Sequence, residues 1–243
     1  MSRRNRRIAC LIVLALLILG AFLLYGQARR HPEDLPWTEL DLSRPIGAFT
    51  GRKLADLHGD APRCIALLAR AGVHFTTLPG RSQGPQCGYD YAVRFAPGGA
   101  TTISYQPSDV ATNCAVSAAL ALWEWHIVQP AAQRHFGRPV SAISHFGSYS
   151  CRRMYGRGTG PWSEHATANA IDVAGFTLAD GTSISILRDW NGGGAKAAFL
   201  REVRDGACGL FSTVLSPEYN AAHANHFHLD QAPRGALGWR ACR

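Results

Sequence analysis

The chain has 243 residues, of which 47% are hydrophobic and 17% are charged, and its formal net charge is +8. This composition excludes a coiled coil, a collagen-like fibre and a wholly disordered chain, and the length suits one domain of roughly 200 residues or two smaller ones. Six of the 25 basic residues are arginines before residue 31, whereas all 17 acidic residues follow residue 30. The remaining chain, with 19 basic and 17 acidic residues, is nearly neutral, so nucleic acid is not an expected partner.

An apolar segment without charged side chains follows the arginine-rich start. Residues 8–25 (IACLIVLALLILGAFLLY) are just long enough to cross a bilayer as a helix. Four arginines precede this segment and two follow it, which predicts a cytoplasmic basic tail over 1–7 and an inner-membrane anchor over 8–26, with the C-terminal part in the periplasm. The alternative is a cleaved signal peptide, whose apolar core is usually shorter, about 7–15 residues, and which would release the chain outside.

Six of the seven cysteines lie in the part of the chain that is predicted to be exported. They contain no Cys-x-x-Cys pair, so three structural disulfides in an oxidising compartment are expected rather than a thiolate zinc site. The sequence leaves the pairing open, and our preferred pairs are Cys64–Cys87, Cys151–Cys208 and Cys114–Cys242.

The first elements after the apolar segment are separated from it by irregular sequence. Residues 27–55 contain prolines and show no regular pattern, so we predict a tether there and a folded domain over 56–243. Asp60 supplies an N-cap and Gly72 a C-cap, which together predict a helix over 62–71.

Two longer helices and several short strands follow along the chain. An apolar stripe at i, i+3, i+4, i+7 and i+11 from Val116 predicts a helix capped by Asn113, which Pro130 should kink or end. A further helix is predicted over 195–204, closed by Gly206. Apolar and β-branched runs predict strands at 73–75, 89–95, 140–144, 171–176, 183–187 and 227–229. Because helices and strands do not alternate strictly, we expect an α+β fold.

Two stretches contain side chains with metal-binding chemistry. His165 ends a polar loop, and Asp172 lies within the apolar strand IDVAGF, where an unpartnered carboxylate is costly to bury. His226 and His228 are two apart and would face the same side of a strand, with His223 three residues earlier. A partner for Asp172 could also be backbone or an arginine, and the histidines could form a solvated face. Together, however, the two stretches favour a metal site.

The donor types indicate which metal and which chemistry such a site would have. Two imidazoles and one carboxylate suit Zn²⁺ better than calcium or magnesium, and they leave a fourth position open for water. Zinc lowers the pKa of water to about 7 and polarises a carbonyl. A neighbouring histidine can accept the proton, so the sequence predicts zinc-assisted hydrolysis of an amide.

The motifs themselves resemble known families. Ser-x-His-x6-Asp followed by His-x-x-His-x-His is similar to the pattern of the LAS metallopeptidases, which include D-Ala-D-Ala carboxypeptidases and the penicillin-insensitive murein endopeptidase. Over roughly 60–243 the chain also resembles the bacterial extensin-like C-terminal domain family. The segments that carry this resemblance are GSYSCR at 147–152, SEHATANAIDVAGF at 163–176, DWN at 189–191 and LSPEYNAAHANHFHLD at 215–230. The resemblance implies a LAS-type fold, with a small antiparallel sheet, flanking helices and disulfide staples.

The resemblance also implies roles for individual residues. It places zinc ligands at His165, Asp172 and His228, a catalytic histidine at His226, and at His223 a second one that shapes the water or the transition state. In an alternative alignment, His223 is the base and His226 is the third ligand.

Two arginines and one glutamate complete the candidate residues. Arg152 or Arg153 corresponds to the arginine that binds the substrate carboxylate in these peptidases. The chain lacks a glutamate at the family's base position, and Glu164 is a possible substitute.

The expected function is that of a zinc peptidase that acts on the peptide stems or cross-links of peptidoglycan. The alternatives are a non-catalytic wall-binding or scaffold protein with a vestigial metal site and, with less support, a zinc-storage protein. The oligomeric state is left open.

Overall fold

The computed structural model describes residues 3–235 and 239–243. Its first element, α1, spans Arg3–Arg30 and is the one helix in these ranges that is long and apolar enough to cross a membrane. None of its residues is buried against the rest of the chain. An anchor and a signal sequence share these properties, so the choice between them stays a prediction.

The domain that follows α1 contains short helices and strands in mixed order. Its helices are α2 (Thr50–Ala55), α3 (Ala61–Arg70), α4 (Cys114–Trp123), α5 (Gln129–Phe136), α6 (Ile186–Asp189) and α7 (Gly194–Ala207). Its strands are β1 (Val73–Ser82), β2 (Gly88–Gly99), β3 (Ser104–Gln106), β4 (Val140–His145), β5 (Ala170–Leu178), β6 (Ser183–Ser185), β7 (Thr213–Leu215), β8 (Phe227–Asp230) and β9 (Ala241–Cys242). The predicted α+β class is confirmed.

The strands form two sheets. A hairpin of β1 and β2 is one, and the other has seven strands in the order β3-β4-β5-β8-β7-β9, with β6 paired to β5. The prediction of one small antiparallel sheet is wrong, because β3 runs parallel to β4 and β9 runs parallel to β7. Such parallel pairs join segments that are distant in sequence, so alternation of apolar residues along one strand does not reveal them. A LAS-type fold stays a prediction.

Helix α4 forms the centre of the hydrophobic core. All of its residues are buried, and Asn113 caps it by accepting a hydrogen bond from the Ala115 N–H at 2.8 Å. Trp123 packs against Phe176 of β5, and its indole N–H donates to the Val203 carbonyl at 2.9 Å. Trp123 of the predicted apolar stripe therefore faces the large sheet and α7, and the burial of the helix extends beyond that stripe to all of its sides.

The helix does not end where the proline predicted. A π-helical turn over Glu124–Val128 joins α4 to α5, and Pro130 lies in the first turn of α5. The π-helical turn, which has i→i+5 hydrogen bonds, precedes this proline, which has no N–H to donate.

Residues in the segment predicted as a tether belong partly to the core. Leu40, Leu42 and Leu54 are buried within it. Lys53 donates from Nζ to the Thr38 hydroxyl at 2.9 Å. The segment predicted as a tether therefore contributes apolar side chains to the domain, although its sequence shows no helical or strand periodicity.

Two further element boundaries differ from the sequence-based expectation. The strand predicted over 183–187 ends at Ser185, because the Asp189 carboxylate accepts the Ser185 N–H at 2.7 Å and α6 begins at Ile186. The hairpin strands β1 and β2 extend further than predicted, since cross-strand pairing continues from Val73 to Ser82.

The number of disulfides is as predicted, but the pairing is different. The bonds are Cys64–Cys114, Cys87–Cys151 and Cys208–Cys242. All three preferred pairs were wrong, because partners are set by which elements pack together. The first bond joins α3 to α4, the second joins the end of the hairpin to the loop after β4, and the third joins the end of α7 to β9.

We expect replacement of Cys64 and Cys114 by serine to lower the free energy of unfolding by roughly 2–4 kcal/mol, since the bond closes a long loop between α3 and α4. Denaturant unfolding of the non-reduced chain measures this loss. Cys10→Ser is the control, because Cys10 is a free and exposed cysteine in α1 and its replacement should leave the unfolding midpoint of the domain unchanged. A peptide map that links Cys64 to Cys87 would contradict the expected pairing.

Candidate metal centre

The two motif stretches meet on neighbouring strands of the large sheet. Asp172 of β5 is directly opposite His228 of β8 in the antiparallel register. Their strand neighbours Ile171 and Leu229 are buried in the core, so Asp172 and His228 face the other side of the sheet. His165 reaches the same place from a short 3-10 helix over Glu164–Thr167 that precedes β5.

The three predicted ligands form a compact triangle of donor atoms. His165 Nε2 lies 3.1 Å from Asp172 Oδ1 and 3.1 Å from His228 Nδ1, and His228 Nδ1 lies 3.0 Å from Asp172 Oδ1. Two ligand atoms of a tetrahedral zinc ion, each about 2.0–2.2 Å from it, lie roughly 3.3–3.6 Å apart. The triangle therefore has nearly the size of one face of a tetrahedral zinc site.

Outer hydrogen bonds orient both imidazoles toward this triangle. The Nδ1–H of His165 donates to the Ser148 carbonyl at 2.5 Å, and the Nε2–H of His228 donates to Asp230 Oδ2 at 3.0 Å. Partners of this kind determine which ring nitrogen stays free to bind a metal. They leave His165 Nε2 and His228 Nδ1 as the nitrogens that can bind the ion, which are the two atoms of the triangle.

The charged groups of the cluster favour the binding of a cation. Burial would lower the pKa of His228, but hydrogen bonds with Asp172 and Asp230 raise it to about 9. Burial would raise the pKa of Asp172, yet hydrogen bonds from His165 and His228 lower it below its usual range. Asp172 therefore stays ionised beside two imidazoles, and this donor set of two imidazoles and a carboxylate suits zinc.

The two remaining histidines lie beside the triangle. His226 Nε2 is 3.5 Å from Asp172 Oδ1, and the His223 ring centre is 5.1 Å from that of His226. The described donor atoms that lie within 4.8 Å of one another belong to His165, Asp172 and His228. This geometry favours His228 over His226 as the third ligand, whereas the catalytic roles of His223 and His226 stay predictions.

Neighbouring asparagines determine which ring nitrogen of each of these two histidines carries the proton. Nδ1 of His226 donates to Asn225 Oδ1 at 2.8 Å, and Nδ1 of His223 donates to Asn220 Oδ1 at 2.8 Å. Burial lowers the pKa of both rings, to about 4 for His223, where the nearby His226 and His228 add to the effect. Both rings are therefore neutral at pH 7, with a lone pair on Nε2.

The cluster forms one side of a cleft of about 570 Å³. Arg152 lines this cleft, whereas Arg153 stacks on the Trp162 ring at 4.5 Å and donates to the Gly160 carbonyl. Of the two predicted arginines, Arg152 is the one that faces the cleft. The carboxylate of Glu164 accepts a hydrogen bond from Asn169 at 2.6 Å, so this side chain already has a structural partner.

Several residues of the site were not singled out from the sequence as site residues. Asp230 is the outer partner of His228, and its position two residues further along the same strand was a usable signal. The Ser148 carbonyl, Arg234 and Arg243 carry no local pattern, and they reach the site through the fold. The cleft is also lined by the aromatic side chains of Tyr155, Tyr219 and Trp162.

The segment that contains the cluster, the cleft and all three disulfides matches a known protein family. No curated protein and no solved structure matches the chain significantly, and a relation to the LAS metallopeptidases stays a prediction. The family described as extensin-like protein C-terminus matches residues 62–243, which is most of the chain. The chain therefore belongs to the family of extensin-like protein C-termini.

Proposed function

We propose that the chain is a zinc-dependent amide hydrolase that acts on peptide stems or cross-links of peptidoglycan outside the inner membrane. The triangle of His165, Asp172 and His228 supports this proposal, because its size, charge and outer hydrogen bonds all suit one divalent ion. The choice of substrate rests on the resemblance to wall peptidases. The proposed location rests on the apolar N-terminal helix. That this helix leaves the following domain in the periplasm is part of the proposal.

His165, Asp172 and His228 would hold the ion at the side of the cleft that the cluster forms. A bound zinc ion supplies Lewis acidity, which makes water more acidic and polarises a substrate carbonyl. The residues around it have to hold the ion, accept a proton and bind the substrate.

His226 is the residue that we assign to proton transfer. Its Nδ1–H is engaged by Asn225, so the free Nε2 lies toward the cluster, 3.5 Å from Asp172 Oδ1. Since burial keeps the ring neutral at pH 7, Nε2 can accept a proton from water and later donate it to the leaving amine. His223, whose pKa is lowered to about 4 by burial and by the nearby His226 and His228, is a weak base and is better suited to orient the water.

Substrate binding is assigned to the walls of the cleft. Arg152, Arg234 and Arg243 line it together with aromatic side chains. A guanidinium binds a carboxylate through paired hydrogen bonds, and peptide stems end in carboxylates. The mixture of cations and aromatic rings therefore suits a short anionic peptide.

The competing function is wall binding without catalysis. It is favoured by one specific feature, the absence of a glutamate at the base position, where histidine stands instead. Incubation of the purified chain with peptidoglycan fragments separates the two functions. New amines indicate a hydrolase, whereas stoichiometric zinc with no bond cleaved, and retention of the protein on intact sacculi, indicate a binding protein.

We expect His228→Ala to lose both bound zinc and amine release, because it removes one corner of the triangle and leaves Asp172 with one fewer partner. Elemental analysis and the cleavage assay on the same sample measure both. His58→Ala is the matched control, since His58 is exposed. Stoichiometric zinc in His228→Ala would show that the ligand assignment is wrong.

His226→Ala should retain zinc, while turnover falls roughly 10²–10⁴-fold, the usual contribution of a general base. Metal content and the rate of amine release are the two measurements. Loss of zinc in this variant would instead support the alternative alignment, in which His226 is the third ligand.

Asp230→Asn should weaken zinc binding roughly 10–100-fold, because the carboxylate that orients His228 loses its charge while the amide keeps its shape. Competition with a metal chelator measures the affinity. Asp90→Asn serves as the control, since Asp90 is exposed on β2. Equal zinc affinity in Asp230→Asn and Asp90→Asn would show that Asp230 does not support zinc binding.

A further inference from the structure

A second cavity of about 620 Å³ lies apart from the metal cluster. Strands β2, β3 and β5 and helix α4 contribute to its walls, and in the described chain it shares no lining residue with the cleft. Ile171 lines this cavity, whereas the next residue, Asp172, lines the cleft. Because neighbouring residues of a strand face opposite sides, the cavity and the metal cluster lie on opposite faces of β5.

The cavity has the size and lining of a small-molecule site. Its volume falls within the range of roughly 300–1,000 Å³ that is typical of such sites, which are mostly apolar with a few polar groups. The apolar side chains of its wall include Val93, Phe95, Ile103, Val110, Leu120 and Ile171. A backbone bridge between Val93 and Thr112, with N···O distances of 2.8 and 2.9 Å, joins the hairpin to the segment before α4 at this wall.

One polar side chain in the wall lacks a partner. Tyr105 is 8% exposed, and no other described residue hydrogen-bonds to its hydroxyl, while its ring packs against Phe95 at 5.7 Å and His145 at 6.3 Å. Burial, with a smaller contribution from Glu124, raises the pKa of this phenol, so it remains a neutral hydrogen-bond donor. Because Tyr105 lines the cavity, this hydroxyl is available to donate a hydrogen bond to a molecule bound there.

A cation lines the same cavity. Arg94 donates from Nη2 to the Asp109 carbonyl at 2.9 Å, and its Nε is buried without a partner. Within the described ranges no carboxylate pairs with this guanidinium. The cavity thus combines apolar walls, an unpaired phenol donor and a positive charge that lacks an anion.

We propose that this cavity binds a small amphipathic organic anion, with its apolar body against the wall and its carboxylate hydrogen-bonded to Arg94 and Tyr105. Charge complementarity selects an anion over a neutral ligand, since charge-assisted hydrogen bonds are the stronger ones. The apolar wall disfavours a glycan or a polar peptide, so this ligand differs in class from the substrate proposed for the cleft. The proposal does not depend on zinc or on hydrolysis.

The probes are 4-phenylbutyrate and its uncharged counterpart 4-phenylbutanol. They are titrated calorimetrically into the full chain in lipid nanodiscs, with empty nanodiscs as the blank. We expect saturable binding of 4-phenylbutyrate to one site, and at least tenfold weaker binding of the alcohol. Absence of saturable 4-phenylbutyrate binding, or equal affinity for the two probes, overturns the proposal.

Variants assign the binding to this cavity. Arg94→Gln should weaken 4-phenylbutyrate binding about 10–100-fold and leave 4-phenylbutanol binding unchanged, while Tyr105→Phe should weaken it about 2–10-fold. Arg188→Gln, which replaces an exposed arginine on α6, is the matched control and should bind as the parent chain does. Unchanged binding in Arg94→Gln overturns the proposal.

A cavity-filling variant provides an independent test if Arg94→Gln does not fold. Val110→Trp places a large ring in the cavity, and it should abolish binding of both probes while the zinc content stays that of the parent chain. Parent-like 4-phenylbutyrate binding by a folded Val110→Trp chain overturns the assignment to this cavity.

Discussion

The cross-strand pair of Asp172 and His228 is the interaction on which the candidate site depends. A carboxylate within an apolar strand is stable only with strong partners, and the antiparallel register places His228 directly opposite it. His165 adds the third donor from the loop before β5. The outer hydrogen bonds to Ser148 and Asp230 then orient both rings. The geometry of the candidate site is therefore a consequence of one strand pairing, one loop and two orienting acceptors.

Strand β5 also organises the molecule on a larger scale. Its alternation sends Asp172 toward the cleft and Ile171 toward the core and the second cavity. Beyond β5, the hairpin is joined to the loop after β4 by the Cys87–Cys151 bond, and Tyr149 of that loop donates to Gln83 at 2.8 Å. The loop that supplies the Ser148 carbonyl and Arg152 is thus held from outside the large sheet. This loop has no regular secondary structure, and the disulfide and the hydrogen bond hold it in place as a wall of the cleft.

Local patterns predicted the parts of the structure that depend on one segment at a time. The cap at Asp60 and the stripe from Val116 predicted two helices, because capping and 3.6-residue periodicity are properties of neighbouring residues. The spacing of His226 and His228 and the polar residue within IDVAGF indicated the metal cluster for the same reason. A carboxylate or an imidazole in an apolar strand marks a buried polar site even when its partner is unknown.

From the sequence alone came the α+β class, the number of disulfides, the apolar N-terminal helix and the two stretches that meet at the cluster, whereas the choice of His165, Asp172 and His228 came from the family resemblance. The tertiary structure decided the disulfide partners, the mixed sheet, the burial of Leu40 and Leu42, and the cavity with Arg94 and Tyr105. The physical reason is that periodicity reports which face of an element is buried, whereas contacts between distant elements depend on how all of them pack together. Pro130 illustrates the limit, since the helical path continues past it after a π-helical turn that ends at Val128.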